Sequence, residues 1–282
     1  MLGKNCKLFI VAMVIVASQG MGVKALRAQS VDGPVSYQLG VFPYLPPRVL
    51  ESVFAPIAVD MSNVLNKEIL FRTSSTYSQF VENIEAQKYD VAFVQPFDYV
   101  RTARQNNYVP LATRDEPLEA IIVTLPGSSI KTAQDMKGAI LSLPPASSAV
   151  SHLVKVFLAE NKLRIGTDIQ ISHTRSHLSC MHQVLVGDAD ACGTAAPPLR
   201  VFEAKMQTEM KVMTKTASIP HTLFVVHSRV NDADRNALLK RILSWSETEH
   251  GKKILQQGKF KPFKAINDSD YDIVRRYLKM AE

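Results

Sequence analysis

An α/β fold in two lobes is what this chain predicts, on three observations. Its 282 residues exceed what one hydrophobic core ordinarily organises. Short β-type runs alternate with helical stretches almost throughout, the pattern of crossover connections and of mixed, mostly parallel sheets flanked by helices. Several runs are continuously apolar rather than alternating, as in Asp90-Val91-Ala92-Phe93-Val94, which marks strands buried on both faces.

In chain order, Val35–Val41 reads as the first strand, and Pro46-Pro47 opens an amphipathic stretch to about Leu65. Glu68–Arg72 is a strand, Tyr77–Ala86 a helix, and Asp90–Val94 a buried strand leading to a helix through Tyr99–Arg104. Ala120–Leu125 and Ala139–Leu143 are further buried strands, followed by the helix Ser147–Glu160. Asp168–Ser172, Ser176–Val186 and Asp190–Thr194 then repeat strand, helix, strand. Thr222–Val226 returns as a strand, and Asp232–Ser246 and Asp268–Met280 are amphipathic helices. Crossovers near Glu116–Leu125 and Ile219–Val226 divide the chain. Residues 29–117 and 226–282 make one lobe and residues 118–225 the other, with a cleft between them.

The first 28 residues read differently. Lys4 and Lys7 precede the apolar run Leu8–Ala17, which is too short to span a bilayer, and small residues follow at Ser18, Gly20 and Gly22. This is the build of a secretory signal peptide, so the mature chain is expected to be exported to the periplasm. Its removal takes away Lys4, Lys7, Lys24 and Arg27 and no acidic residue, so the formal charge falls from +7 to +3. No basic patch interleaved with aromatics remains, and nucleic acid is excluded as a partner. Cys180 and Cys192 survive processing, as a bridge in an oxidising compartment or as two buried thiols.

The residues that carry chemistry sit where strands turn into helices. Pro144-Pro145-Ala146-Ser147-Ser148 joins a buried strand to a helix, and a helix start offers unpaired N–H groups and positive potential to an anion. Ser147 and Ser148 add hydroxyls there, although plain capping of the helix by serine is the ordinary use of such a residue. His177 and Tyr77 stand at two further junctions, and in an α/β sheet such junctions share the carboxyl edge where ligands bind. His173, His177, Cys180, His182 and Cys192 cluster in sequence but lack recognised metal-ligand spacing, so neither metal nor cofactor is expected. There is no Gly-x-Ser-x-Gly and no distinguished acidic pair; the chain reads as a binder, not an enzyme.

From about Tyr37 onward the chain resembles the periplasmic substrate-binding proteins of phosphate/phosphite/phosphonate ABC transporters. The resemblance is carried by Tyr77 opening a helix, the strand Tyr89-Asp90-Val91-Ala92-Phe93, and Ala146-Ser147-Ser148 before a helix. Ser176-His177, Val186-Gly187-Asp188-Ala189-Asp190-Ala191 and Ser218-Ile219-Pro220 complete the order. It implies a two-lobed periplasmic-binding-protein architecture that closes by a hinge on a small molecule. Tyr77, Ser147, Ser148 and His177 would hold phosphoryl-type oxygens, with Val94-Gln95 from one lobe and His221-Thr222 near the crossover.

Val94 stands where a second pocket tyrosine is common, and Pro197 and Thr222 where members that bind aminoalkyl phosphonates place carboxylates. Glu119 is the replacement carboxylate within reach in sequence. A small oxyanion is therefore expected, with a mainly apolar guest such as a lipid as the alternative. The implied partner is a membrane permease, or a sensor kinase, served by a single copy of the chain.

Overall fold

The computed structural model describes residues 36–281; the expected signal peptide and Cys6 lie outside the described residues. The chain begins with β1 (Tyr37–Val41), α1 (Pro47–Leu65), β2 (Ile69–Thr73), α2 (Tyr77–Glu85) and β3 (Val91–Val94). A run of helical turns opens with α3 (Pro96–Asp98) and ends before β4 (Tyr108–Arg114). The short β5 (Pro117–Leu118) leads to β6 (Ile121–Thr124), β7 (Ile140–Leu143), α4 (Ala149–Glu160), β8 (Gln170–His173) and α5 (His177–Val186). Next come β9 (Ala191–Thr194), α6 (Ala196–Met206), β10 (Lys211–Lys215) and β11 (Ile219–Pro220). The chain closes with β12 (Leu223–His227), α7 (Asp232–Leu243), α8 (Glu249–Gly258), β13 (Phe263–Ala265) and α9 (Asp272–Ala281).

Among the described residues two large sheets form, one of six strands in the order β13-β4-β12-β3-β1-β2 and one of five in the order β10-β6-β9-β7-β8, beside a two-stranded ribbon. Pairing is parallel at β1–β2, β1–β3, β7–β8 and β7–β9, as crossover helices require. The strands beside the sheet changes run antiparallel: β12 against β3 and β4, and β6 against β9 and β10. β5 and β11 pair with each other where the chain leaves the first sheet and returns to it. The return is complete by Leu223, so the lobe boundary expected at residues 225 and 226 falls inside β12, which belongs whole to the six-stranded sheet.

Long-range polar contacts tie the helices of the six-stranded side to one another. Pro56 sits inside α1 and has no N–H for the carbonyl of Ser52; Gln257 Nε2 from α8 donates to that oxygen instead, at 2.5 Å. Asp60, buried on α1, accepts from Arg241 and, at 2.8 Å, from Trp245 Nε1. Burial pushes the Asp60 carboxyl up, but the Arg241 and Trp245 donors outweigh it and hold the group below the usual range. On the five-stranded side, Cys180 of α5 and Cys192 of β9 form a disulfide. A Cβ at the neighbouring Gly193 would lie 2.5 Å from Leu143 and 2.8 Å from Val154, so glycine is what lets α4 settle onto this sheet.

Candidate functional site

Capping fixes the positions of the junction residues. Thr76 accepts from the N–H of Gln79 and so starts α2 at Tyr77; Ser148 accepts from Ser151 and starts α4 at Ala149; Ser176 accepts from Ser179 and starts α5 at His177. Val94 ends β3 fully buried, opposite Leu223. That burial leaves Gln95, the next residue, at the carboxyl edge of the sheet, and Pro96 at the first position of α3 stops the strand there.

Gln95 joins the two sheets. Its Nε2 donates to the Tyr77 hydroxyl at 2.9 Å and lies 3.4 Å from both Asp98 Oδ2 and the carbonyl of Ser147. An amide nitrogen has only two hydrogens for these three acceptors, so the Tyr77 bond and one longer contact are served at a time. Its Oε1 accepts the N–H of Ala149, the first amide of α4, at 3.0 Å. Tyr77 in turn donates its hydroxyl to Asp98 Oδ2. The cluster therefore brings Tyr77, Gln95 and Asp98 from the six-stranded side against Ser147–Ala149 from the five-stranded side.

Charge in this cluster is poised. Burial pushes the Asp98 carboxyl up to about 6, while the Tyr77 donor, the Arg101 charge and Gln95 pull the other way. Burial, and then the charge of and hydrogen bond to Asp98, raise the Tyr77 phenol far above its ordinary value, so it acts as a neutral donor.

The other expected residues have separate partners. Ser148 is an N-cap, its Oγ accepting from Ser151 N at 3.1 Å and donating to Ser151 Oγ at 3.0 Å. His177 Nδ1 lies 3.0 Å from Thr194 Oγ1, and burial lowers its pKa to about 4, so the ring is neutral at neutral pH. His221 Nδ1 accepts the N–H of Thr222 at 2.7 Å, which puts its ring proton on Nε2. Burial and then the Arg114 charge lower its pKa to about 3. The His221 carbonyl is held by Thr113 and Tyr271, and Thr222 is buried beside it. Glu119 accepts from Lys215 Nζ of β10 at 2.8 Å.

Asp98 escaped the sequence reading. The signal for it is Gln95-Pro96-Phe97-Asp98 after a buried strand: proline at the first helical position and an acid at the third mark a helix start whose first turn faces the sheet edge. The sulfur and imidazole cluster is spent elsewhere: both cysteines are in the disulfide, and His173 Nδ1 lies 2.9 Å from the Pro144 carbonyl. Among the described residues no helix is long and apolar enough to cross a membrane.

Known proteins were then compared. Residues 39–271 match the family model described as "ABC transporter, phosphonate, periplasmic substrate-binding protein". The fold is similar to that of PhnD1 from Prochlorococcus marinus (MIT 9301), solved with methylphosphonate, at TM-score 0.71 and 18% identity, covering 88% of this chain and 98% of that one. A binding protein component of an ABC phosphonate transporter from Pseudomonas aeruginosa matches at TM-score 0.72 and 16% identity, over 87% and 86% of the two chains. The aliphatic sulphonate binding protein SsuA of Escherichia coli matches at TM-score 0.63 and 16% identity, over 88% and 91%. At these identities the structural likenesses speak for the two-lobed fold. The mainly apolar guest kept as an alternative finds no support among them.

Proposed function

The chain belongs to the periplasmic substrate-binding proteins of phosphonate ABC transporters, and from that premise we propose that it captures a phosphonate-type oxyanion between Tyr77 and Gln95 on one lobe and the start of α4 on the other. As a member of that family it is a non-catalytic receptor that works in the periplasm and delivers a small molecule to membrane transport components. In our reading residues 1–28 are the export signal and a single copy serves a permease. One lobe runs from residue 29 to 117 and resumes at Leu223. The other lies between, and the β5–β11 ribbon acts as the hinge.

One observation carries the ligand assignment: Gln95 Oε1, an oxygen acceptor supplied from the opposite sheet, sits on the first amide of α4 at 3.0 Å. An oxyanion oxygen takes that amide and the helix-start potential in its place. The Gln95 Nε2 and the Ser147 hydroxyl then donate to the remaining oxygens, and the Tyr77 hydroxyl joins them by turning from Asp98, its partner in the cluster. His177 and His221 contribute neutral N–H groups at the margin, Val94 anchors the strand end, and Ser148 and Thr222 hold the backbone that presents these donors. Charge-assisted bonds of this kind meet the cost of taking a dianion out of water. Closure follows because the donors lie on both lobes and are complete only when these meet.

Ala149→Pro tests the assignment. Ser148 already has the extended backbone (φ −73°, ψ 144°) that a following proline requires, and proline suits the first position of a helix. Calorimetry with methylphosphonate should show roughly ten-fold weaker binding than wild type, the value of one charge-assisted bond. A circular-dichroism melt should be little changed. Undiminished affinity overturns the assignment.

A further inference from the structure

A second concavity of about 550 Å³ opens beside this cleft, with walls from both sheets' sides. Arg114 ends β4 and stands on one wall with Lys259, Phe260 and Lys261, whose backbone is fixed by the end of α8: the N–H groups of Lys259 and Phe260 bond back to Gln256 and Leu255 at 3.1 and 2.8 Å. The facing wall is α6, with Pro197 and Arg200. Two of its residues adjoin residues expected at the cleft. The N–H of Arg114 donates to the Thr222 carbonyl at 3.3 Å, and Pro197 lies just past Thr194, the partner of His177.

Its charge is one-sided. Arg114, Arg200, Lys259 and Lys261 are set against one carboxylate, Glu116, which is already paired with Arg114. Among the described residues no ion pair engages Arg200, Lys259 or Lys261, and Arg114 Nε is buried with no acceptor. The Arg114 guanidinium lies 5.4 Å from the centre of the Phe260 ring, so the cationic wall also has an apolar face. A concave site with low-dielectric walls and one sign of charge concentrates ligands of the other sign and repels its own.

We propose that this groove receives the far end of the ligand and that this end is anionic: the preferred guest is an organophosphonate bearing a second acidic group, a carboxylate or a phosphate, on a short carbon chain. The inference rests on the cleft being a phosphonate site. The phosphonate lies at the α4 start, the methylenes run past Pro197 and Phe260, and the second anion meets Arg200 and Lys261. An ammonium-tailed phosphonate is rejected by the same charges.

Calorimetry on the full chain tests this with methylphosphonate, propylphosphonate, 2-aminoethylphosphonate, 3-phosphonopropionate and 5-phosphonopentanoate. At least one of the two phosphonocarboxylates should bind about ten-fold more tightly than propylphosphonate, with 2-aminoethylphosphonate weakest. In Arg200→Gln/Lys261→Gln the ranking should collapse while methylphosphonate binding stays as in wild type. Methylphosphonate bound with no preference among tails, or a preference that survives the double substitution, overturns the inference and leaves the cleft assignment standing. Failure of every phosphonate, methylphosphonate included, overturns both.

Discussion

Around the six-stranded sheet, Phe54, Phe93, Phe224, Phe260, Phe263 and Trp245 stack edge and face, with neighbouring ring centres 4.9–6.0 Å apart. The outer face of the five-stranded sheet is built otherwise. Ile121, Val123, Met181, Val184 and Leu199 gather there with the one buried aromatic Phe202, and the Cys180–Cys192 bridge crosses the cluster. One side is held by the area its aromatic rings bury, the other by a smaller core and a covalent tie. The difference bears on recognition. Tyr77, Gln95 and Asp98 project from the heavily packed side, which fixes their positions, and the α4 helix they meet is seated in the same large core through Val150, Leu153 and Val154, whereas the cross-link lies in the separate, smaller cluster.

The comparison breaks first at Trp245. Trp245→Ala should cost about 3–5 kcal/mol in urea denaturation, since it removes a buried indole packed on Phe224 and Phe263 and strips Asp60 of a donor. A loss no greater than that of a surface substitution would mean that the aromatic core does not hold this side. Next comes the tie: Cys180→Ala/Cys192→Ala should cost about 3 kcal/mol, for a loop of separation 12. Hydrogen exchange should rise in α5 and β9 and stay low in β3 and β12; a rise spread evenly over both sheets would refute the division.

Ser148→Ala sharpens the contrast at a single cap. It should lower stability by about 1 kcal/mol through the lost bond to Ser151 N, seen as a lower melting temperature before any ligand is added. The smallest effect concerns pH. Asp98, pushed up to about 6, gains charge as pH rises through that value, and Gln95 links it to the α4 start, the proposed place for the anion. Methylphosphonate affinity should therefore be about three-fold weaker at pH 8 than at pH 5 relative to Asp98→Asn, a comparison that cancels the ligand's own titration. Parallel pH profiles for the two proteins would remove Asp98 from the site.

Much of this architecture was legible in residue order. Strands such as Val91–Val94 are apolar on both faces because both faces are covered, and the caps Thr76, Ser148 and Ser176 announce the helices after them. β4 was not legible, because Pro110 reads as a strand breaker. In the sheet that proline lies at a register shift against β12, beyond the reach of β13, where its missing N–H breaks no ladder. α6 was hidden by Pro197-Pro198, which the first turn of a helix tolerates. That Tyr77, Gln95 and Ser147 lie together could be anticipated, because strand-to-helix junctions converge on one edge. The partners of Ser148, Glu119 and His177 could not, because side-chain direction at a junction is set by neighbours far away in sequence.

The order of strands has a consequence for biogenesis. The five-stranded sheet is drawn from one unbroken stretch, β6 to β10, so its pieces and both cysteines emerge close together and can associate locally. The other sheet cannot be finished that way, since β12 inserts between β3 and β4 and must arrive from more than a hundred residues downstream. Until it does, two strand edges stay open to wrong pairing, so a stalled or truncated chain exposes sticky backbone from its amino-terminal half while its middle is already sound.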